Sequence, residues 1–164
     1  MAPSVLGYAR GMSRFIHKTH NVSVLLYHFV CPTKYRRSVL SDSVEAILVS
    51  TCVKITEVYE IEFIEIGCDK NHVHFLIQSV PTYSPTKIIR TVKSLVAREL
   101  FSELPTLKKL LWGGAFWSSG FYVSTVGRYG NESGTRRYIA DQGLPDYKPL
   151  HDGQLRMFDD ELAS

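Results

Sequence analysis

The order of strand-like and helix-like segments constrains the fold of this chain more than any other feature of its sequence. Runs rich in β-branched and aromatic residues are typical of strands, whereas apolar residues recurring every three or four positions are typical of helices. This pattern predicts strands over residues 22–30, 60–66, 71–79 and 121–126, and helices over residues 42–59, 84–103 and 132–142. The order β-α-β-β-α-β, followed by one more helix, is that of the ferredoxin-like split βαβ motif. We therefore expect an α+β fold in which helices pack on an antiparallel sheet.

Both long helices carry start signals. Asp42 followed by Glu45 is a capping-box pattern, and Ser84 followed by Pro85 combines an N-cap residue with a proline at the first helical position. The apolar stripes predicted to face the core are Val44, Ile47, Leu48, Cys52 and Ile55 on the first helix, and Ile88, Ile89, Val92, Leu95, Val96 and Leu100 on the second.

Composition excludes several classes of protein. The chain has 164 residues, of which 45% are hydrophobic and 21% charged, as in ordinary globular domains. No stretch approaches the roughly 18 apolar residues that a membrane span needs, and the first twenty residues lack the apolar run of a signal peptide. Cys31, Cys52 and Cys68 are widely separated and form no C-x-x-C pair. This spacing favours a reduced, cytoplasmic protein over a disulfide scaffold or a zinc ribbon.

The distribution of charge is uneven although the net charge is only +3. Residues 1–41 carry six basic and no acidic side chains, and residues 105–140 carry five basic and one acidic. Residues 42–83, in contrast, carry two basic and seven acidic side chains. Basic blocks of this kind can form an anion-binding surface, for which nucleic acid is the commonest partner. A solvated surface with scattered lysine and arginine explains them equally well.

The periodic segments define one predicted domain, over residues 19–143. We expect residues 1–18 to be a poorly ordered N-terminal extension. Residues 144–164 are acidic, contain two prolines and show weak periodicity, which is typical of a tail.

The sharpest local motif is His72-Val73-His74 within a predicted strand. Side chains two apart in a strand point to the same face, with Cα atoms roughly 6.5–7 Å apart, so that both imidazoles can converge on one ion. Two histidines are too few for a metal site, and a third ligand must come from elsewhere. The alternative is a pair of partly exposed or hydrogen-bonded histidines on a sheet surface.

A second candidate motif lies on the last predicted helix. Tyr138 and Gln142 are four residues apart and therefore share one helical face. A glutamine carbonyl is a neutral oxygen ligand suited to a hard cation, and a phenol can act as a nucleophile towards an electrophile that a metal polarises. The alternative is a capping or surface tyrosine on a marginal helix.

Taken together, these motifs resemble the TnpA-type single-tyrosine HUH transposases of the insertion sequence 200/605 family, in which U is a bulky apolar residue. The flanking sequence agrees, since residues 27–40 are similar to the family's first strand and basic loop. Residues 70–76 are similar to its metal strand, and residues 111–127 to its last strand and the approach to it. The resemblance extends over residues 19–142, most of the chain.

The resemblance implies an enzyme that cleaves and rejoins single-stranded DNA at hairpin-bearing element ends. His72, His74 and Gln142 would hold Mg²⁺ or Mn²⁺, and Tyr138 would attack the scissile phosphate to give a 5′-phosphotyrosine and a free 3′-hydroxyl. Because a free tyrosine has a pKa near 10, metal charge and in-line positioning would have to lower the barrier. The resemblance also implies a homodimer in which the tyrosine helix completes the partner's site, and no membrane partner.

Basic and aromatic side chains are candidate DNA contacts. Those expected to touch phosphates are Lys34, Arg36 and Arg37 after the first strand, and Lys87, Arg90 and Lys93 on the polar face of the second long helix. An ordinary solvated surface explains the helix residues about as well. The candidates for stacking on unpaired bases are Trp112, Phe116 and Trp117, for which packing in the core or at a dimer interface is the favoured alternative.

The sequence also departs from the family pattern. Asn71 stands where an acidic residue often precedes the metal histidines, a change expected to alter the orientation of the neighbouring ring. Residues 128–135 contain Gly130 and Gly134. Since a helical glycine costs about 1 kcal/mol relative to alanine, the tyrosine helix would be easy to move, and a poorly held loop is the alternative explanation.

Other functions share parts of this pattern. A domesticated relative that processes palindromes in its own genome, or a replication or conjugation nickase, would use the same chemistry. A DNA-binding module would hold a structural metal and never cut. A metal-dependent hydrolase of unrelated type would act without Tyr138.

Overall fold

A four-stranded antiparallel sheet is the framework of the computed structural model, which describes residues 16–112 and 114–126. The elements along the chain are β1 (Ile16–His17), β2 (Val22–Ser23), β3 (Leu25–Pro32), a 3₁₀ turn (Lys34–Arg36), α1 (Asp42–Val58), β4 (Ile61–Cys68), β5 (His72–Ser79), α2 (Pro85–Glu103), α3 (Leu107–Leu110) and β6 (Tyr122–Val126). The strands of the main sheet lie in the order β4-β5-β3-β6, and each neighbouring pair is antiparallel. The predicted ferredoxin-like arrangement is therefore confirmed. The helix predicted over residues 132–142 lies outside the described residues.

The first predicted strand, over residues 22–30, is divided in the structure. Val22–Ser23 pair with Ile16–His17 in a separate two-stranded sheet, and the chain joins the main sheet only in β3. β3 then runs two residues past the predicted end, to Pro32. Pro32 is the last residue of the strand and has no amide hydrogen to donate, but its carbonyl accepts a hydrogen bond from the Ser118 amide at 3.0 Å.

Ile16–His17 fall within the predicted extension of residues 1–18, so strand pairing begins before the predicted domain boundary. Residues 1–15 and the predicted tail, residues 144–164, lie outside the described part of the chain.

The helix starts agree with the sequence at one helix and differ at the other. Ser84 is the N-cap of α2, accepting a hydrogen bond from the Lys87 amide at 3.1 Å, as predicted. At α1 the cap is Ser41, whose hydroxyl accepts from the Val44 amide, so Asp42 is the first helical residue instead of the cap. The four-residue helix α3 was not predicted, because so short a segment has no measurable periodicity.

One face of the sheet packs against α1 and α2 to form the main core. Alternate residues of β5, namely Val73, Phe75 and Ile77, are fully buried on this face. The stripes predicted on the helices meet them, except that Ile47 and Leu95 are only partly buried. Because side chains alternate along a strand, packing of one set against the helices determines which side chains point to the other face of the sheet.

Two features of the described residues bear on the expectations from composition. Cys31, Cys52 and Cys68 are buried free thiols. In the described part of the chain, no helix is both long and apolar enough to cross a membrane.

Candidate functional site

The face of the sheet turned away from α1 and α2 carries an unusual number of buried polar side chains. A small apolar cluster covers part of it, formed by Leu26, Ile64, Leu76 and Val126. The buried polar side chains on the same face are His28, Glu65, His72, His74, Gln78 and Ser124. We call this surface the histidine face. Burying polar groups is unfavourable unless they find partners, so such a concentration indicates a functional site.

The structure brings His72 and His74 together on this face, as strand alternation predicted. Their ring centroids are 4.9 Å apart and the ring planes meet at 72°. His72 and His74 are only 7% and 1% exposed, so they are not partly exposed surface residues, and both rings form hydrogen bonds, as the alternative interpretation also allowed. On β4, the residue paired with His74 is Gly67, which has no side chain.

A tight hairpin orients His72. The Asp69 amide donates to the His72 carbonyl at 3.0 Å and closes the turn between β4 and β5. Next in the turn, Asn71 places its Oδ1 atom 2.7 Å from Nδ1 of His72. Because an amide oxygen only accepts, Nδ1 of His72 is the donor and Nε2 is the basic nitrogen of the ring. Asn71, which departs from the family pattern, thus contacts the ring directly, and Asp69 Oδ2 lies 3.8 Å from Nε2.

His74 is held by a third histidine, His28 of β3. Nε2 of His28 lies 3.0 Å from Nδ1 of His74, and the ring centroids are 5.3 Å apart with an angle of 13° between the planes. Nε2 of His74 is buried and has no hydrogen-bond partner among the residues that the structure describes. A ring nitrogen buried without a hydrogen-bond partner is unfavourable unless a ligand or another group meets it.

Burial keeps all three imidazoles neutral near pH 7. It lowers the pKa of His28 to about 4, and it lowers the pKa of His74 well below its usual value, with smaller contributions from His28 and His72. The pKa of His72 is also lowered by burial, a shift that Asp69 opposes and Arg36 reinforces. A neutral imidazole keeps the lone pair that a metal requires, so the donor set fits a divalent cation.

The described residues supply two of the three predicted metal ligands. Within residues 16–112 and 114–126, no group of three or more His, Cys, Asp or Glu side chains is arranged to hold a metal ion. The predicted third ligand, Gln142, the predicted nucleophile, Tyr138, and the glycine-containing segment 128–135 all lie outside the described residues.

The basic loop after β3 lies against the histidine hairpin. The Thr33 amide donates to the Asn71 carbonyl at 2.9 Å, and the Thr33 hydroxyl donates to the Arg37 carbonyl at 2.7 Å. Tyr35 and Arg36 have left-handed backbone angles, with φ of 56° and 50°, which non-glycine residues rarely adopt. Arg36 and Arg37 are exposed and Lys34 is half-buried. Three predicted DNA contacts therefore stand beside the histidine pair, and their contact with DNA stays a prediction.

The other predicted contacts lie on α2, on the opposite side of the sheet from the histidines. Lys87 and Arg90 are exposed, and the Lys87 ammonium stands 3.9 Å from the centroid of the Tyr83 ring. Lys93 instead donates to the carbonyls of Ser118 and Gly120 at 2.8 and 3.0 Å. The six basic residues thus form two separate groups. The ammonium of Lys93 forms hydrogen bonds that connect α2 to the loop containing Ser118 and Gly120.

The aromatic candidates differ from one another. Phe116 and Trp117 are buried in the main core, and Trp117 Nε1 donates to the Lys93 carbonyl at 3.0 Å. Core packing, the favoured alternative, therefore describes these two residues. Trp112 is 73% exposed and accessible to a ligand.

Sequence reasoning did not identify His28 as part of the site. Leu26, His28 and Val30 alternate on one side of β3, and this alternation could have placed His28 on a single face. Its contact with His74 depends on the pairing of β3 with β5, in which His28 lies opposite Leu76. No short-range pattern encodes that register.

One family model matches most of the chain. A family model described as "Transposase IS200 like" matches residues 21–142, a range that includes His72, His74, Tyr138 and Gln142.

Individual relatives agree with that match. The ISDra2 transposase TnpA of Deinococcus radiodurans is 30% identical over 118 residues, which is 72% of this chain and 84% of that protein. The transposase for insertion sequence element IS200 of Salmonella typhimurium is 28% identical over 116 residues, which is 71% of this chain and 75% of that protein.

Solved structures share the fold. A crystal structure at 1.90 Å resolution, assigned as a transposase from Deinococcus radiodurans, is similar with a TM-score of 0.64 and 29% identity, covering 79% of this chain and 98% of that one. A REP-associated tyrosine transposase bound to a REP hairpin is similar with a TM-score of 0.53, covering 77% of this chain and 70% of that one. At 11% identity, the second likeness shows the fold alone.

Proposed function

Because this chain belongs to the family of IS200-like transposases, we propose that it cleaves and rejoins single-stranded DNA at hairpin-bearing element ends. In this proposal a divalent cation, Mg²⁺ or Mn²⁺, is held by His72, His74 and Gln142, and Tyr138 is the nucleophile. A cytoplasmic location, where the DNA is accessible, follows from the same proposal.

The histidine pair is the main structural support for this proposal. His72 and His74 share one face of β5, with ring centroids 4.9 Å apart and Nδ1 of each ring engaged by a neighbouring side chain. The remaining nitrogen of His74 is buried without a hydrogen-bond partner in the described part of the chain. Two neutral imidazoles fixed on a rigid strand are suited to hold a cation in one place.

When bound, such a cation supplies positive charge that polarises a phosphodiester. The phenolic oxygen of Tyr138 then attacks phosphorus, and the bond from phosphorus to the 3′ oxygen breaks. The 3′ oxygen leaves as a hydroxyl group after taking up a proton, and the phenol loses its own proton to solvent. The product is a 5′-phosphotyrosine, which a second 3′-hydroxyl can attack in the reverse sense to rejoin a strand.

The basic loop suggests how DNA approaches this site. Arg36 and Arg37 are exposed next to the hairpin that carries His72, so a phosphate backbone lying along the loop would reach the metal position. Recognition of hairpin DNA and a homodimer in which the tyrosine helix completes the partner's site are inferred from the family resemblance.

A cleavage assay tests the metal dependence. Labelled single-stranded hairpin DNA from the flanks of the coding region is incubated with protein and Mn²⁺ or Mg²⁺, with and without chelator. We expect cleavage only with metal, and a loss of at least about 100-fold in rate for His72→Ala or His74→Ala, since the metal contributes several kcal/mol.

The matched control for this assay is His20→Ala, because His20 is exposed and lies outside the site. It should cleave at the wild-type rate. Cleavage that persists in chelator or in both site variants would refute the metal proposal. DNA that is bound but never cut would instead favour a non-cleaving binding module.

A further inference from the structure

His28 contacts His74 through one ring nitrogen of each side chain. It lies on β3, next to β5 in the sheet, and is only 2% exposed. Its Nε2 atom is 3.0 Å from Nδ1 of His74, and the two ring planes are nearly parallel, with an angle of 13° between them. The contact joins positions 46 residues apart in sequence, so it exists only because the fold brings them together.

The proton in this contact has two possible positions. Both rings are buried, which disfavours a charged imidazole, so a single proton lies between the two facing nitrogens. If His74 donates, its proton is on Nδ1 and its Nε2 atom keeps a lone pair. If His28 donates, the proton of His74 is on Nε2, and that atom cannot bind a cation.

We infer that His28 is a positioning residue that accepts the Nδ1 proton of His74 and so keeps Nε2 of His74 ready for the metal. This inference rests on the proposed function, because it assumes that His74 is a metal ligand. Metal-binding histidines commonly have the second ring nitrogen fixed by a hydrogen-bond acceptor, usually a carboxylate or a carbonyl. Here a neutral imidazole would take that place.

The surroundings of His28 suit such a role. β3 is an interior strand of the sheet, paired with β5 on one side and β6 on the other. On the histidine face, Ser124 is directly opposite His28 across the β3–β6 pair, and the Tyr122 ring meets the imidazole edge-on with centroids 6.4 Å apart. A ring confined from both sides can hold the orientation that its partner needs.

Two variants separate positioning from simple packing. His28→Gln keeps an oxygen acceptor near the place of Nε2, whereas His28→Leu fills similar volume without one. If His28 has a purely structural role, the two variants should have the same proton position on His74 and the same affinity for Mn²⁺. If His28 positions His74, only His28→Leu should change these two properties. Phe29→Leu is the matched control, since Phe29 is the next residue on β3 but packs in the main core.

The first readout is the position of the proton in metal-free protein, measured by long-range ¹H–¹⁵N NMR of His74. We expect the Nδ1–H form in wild type, His28→Gln and Phe29→Leu, and a shift towards the Nε2–H form in His28→Leu. Finding the Nε2–H form in wild type would overturn the inference even if the leucine variant failed to fold.

The second readout is the dissociation constant for Mn²⁺ without DNA, measured by electron paramagnetic resonance. We expect it to rise about 10- to 100-fold in His28→Leu, to change only a few-fold in His28→Gln, and to stay within about twofold in Phe29→Leu. Unchanged Mn²⁺ affinity in a folded His28→Leu variant would overturn the inference. If wild type binds no Mn²⁺ near His72 and His74, the proposed function fails, and the NMR readout still decides whether His28 fixes the proton of His74.

Discussion

At the scale of single residues, hydrogen bonds to two ring nitrogens define the site as much as the histidines themselves. Asn71 Oδ1 engages Nδ1 of His72, and His28 Nε2 engages Nδ1 of His74. The sequence predicted the shared face of the two histidines because alternation in a strand determines it. It could not predict His28 as a partner, since that contact depends on strand register.

The hydrogen bond from His72 to Asn71 yields a direct prediction. Asn71→Leu removes the acceptor, so we expect the dissociation constant for Mn²⁺ to rise about 10-fold, as for other losses around metal-bound histidines. Isothermal titration calorimetry measures it. Lys70→Ala, an exposed change in the same turn, is the control and should bind as wild type. Equal affinity in Asn71→Leu and Lys70→Ala would show that the amide does not support the ring.

At the scale of elements, β5 separates two environments. Val73, Phe75 and Ile77 complete an apolar core under α1 and α2, while the alternate residues place imidazoles on the histidine face. The sequence predicted this division. It did not predict that all eight residues of β5 would be buried, because burial of the second face depends on groups beyond the strand.

Neutral buried imidazoles make the stability of the metal-free protein depend on pH. Folding lowers the pKa of His28 from about 6.5 to about 4, and it lowers those of His72 and His74 as well. Between these pH values the unfolded chain binds more protons than the folded chain. The free energy of unfolding is therefore highest above about pH 6.5 and decreases as the pH falls towards 4. His28 alone contributes up to about 3 kcal/mol to this change.

Urea unfolding at pH 7 and pH 5 in chelator measures that dependence. The decrease on acidification should be smaller in His28→Leu than in wild type. Phe29→Leu, which loses core packing but no imidazole, should be destabilised by a similar amount at both pH values. Equal wild-type stability at pH 7 and pH 5 would contradict neutral burial of these rings.

The basic loop is the second element with a testable role. If Arg36 contacts a DNA phosphate, Arg36→Ala should weaken binding of single-stranded DNA and reduce the slope of log affinity against log salt by about 0.7. Fluorescence anisotropy over a salt series gives the slope. Arg98→Ala, an exposed arginine on α2, is the charge-matched control and should change the slope less. Identical slopes for the two variants would remove Arg36 from the DNA contact.

At the scale of the whole molecule, the order of elements could be predicted from the sequence. The arrangement of residues on the two sides of the sheet could be predicted only in part. Periodicity alone predicted β-α-β-β-α-β, and the sheet order β4-β5-β3-β6 agrees with it. The sequence assigned both groups of candidate basic residues to DNA contact, but the fold places one group in the loop beside the histidine hairpin and the other on α2, across the sheet. The division of the first strand into β2 and β3 was likewise hidden, because Val22–Ser23 pair with residues outside the predicted domain.

We propose that the histidine pair and a tyrosine nucleophile act together, and covalent trapping is the most direct test of this joint role. Wild-type protein is incubated with labelled single-stranded hairpin DNA and Mn²⁺, denatured, digested, and the labelled peptide is identified by mass spectrometry. We predict a metal-dependent adduct on Tyr138 that is absent in Tyr138→Phe and in chelator, and present in the control Tyr59→Phe. DNA cleavage that persists in Tyr138→Phe, or an adduct on another residue, would contradict the account.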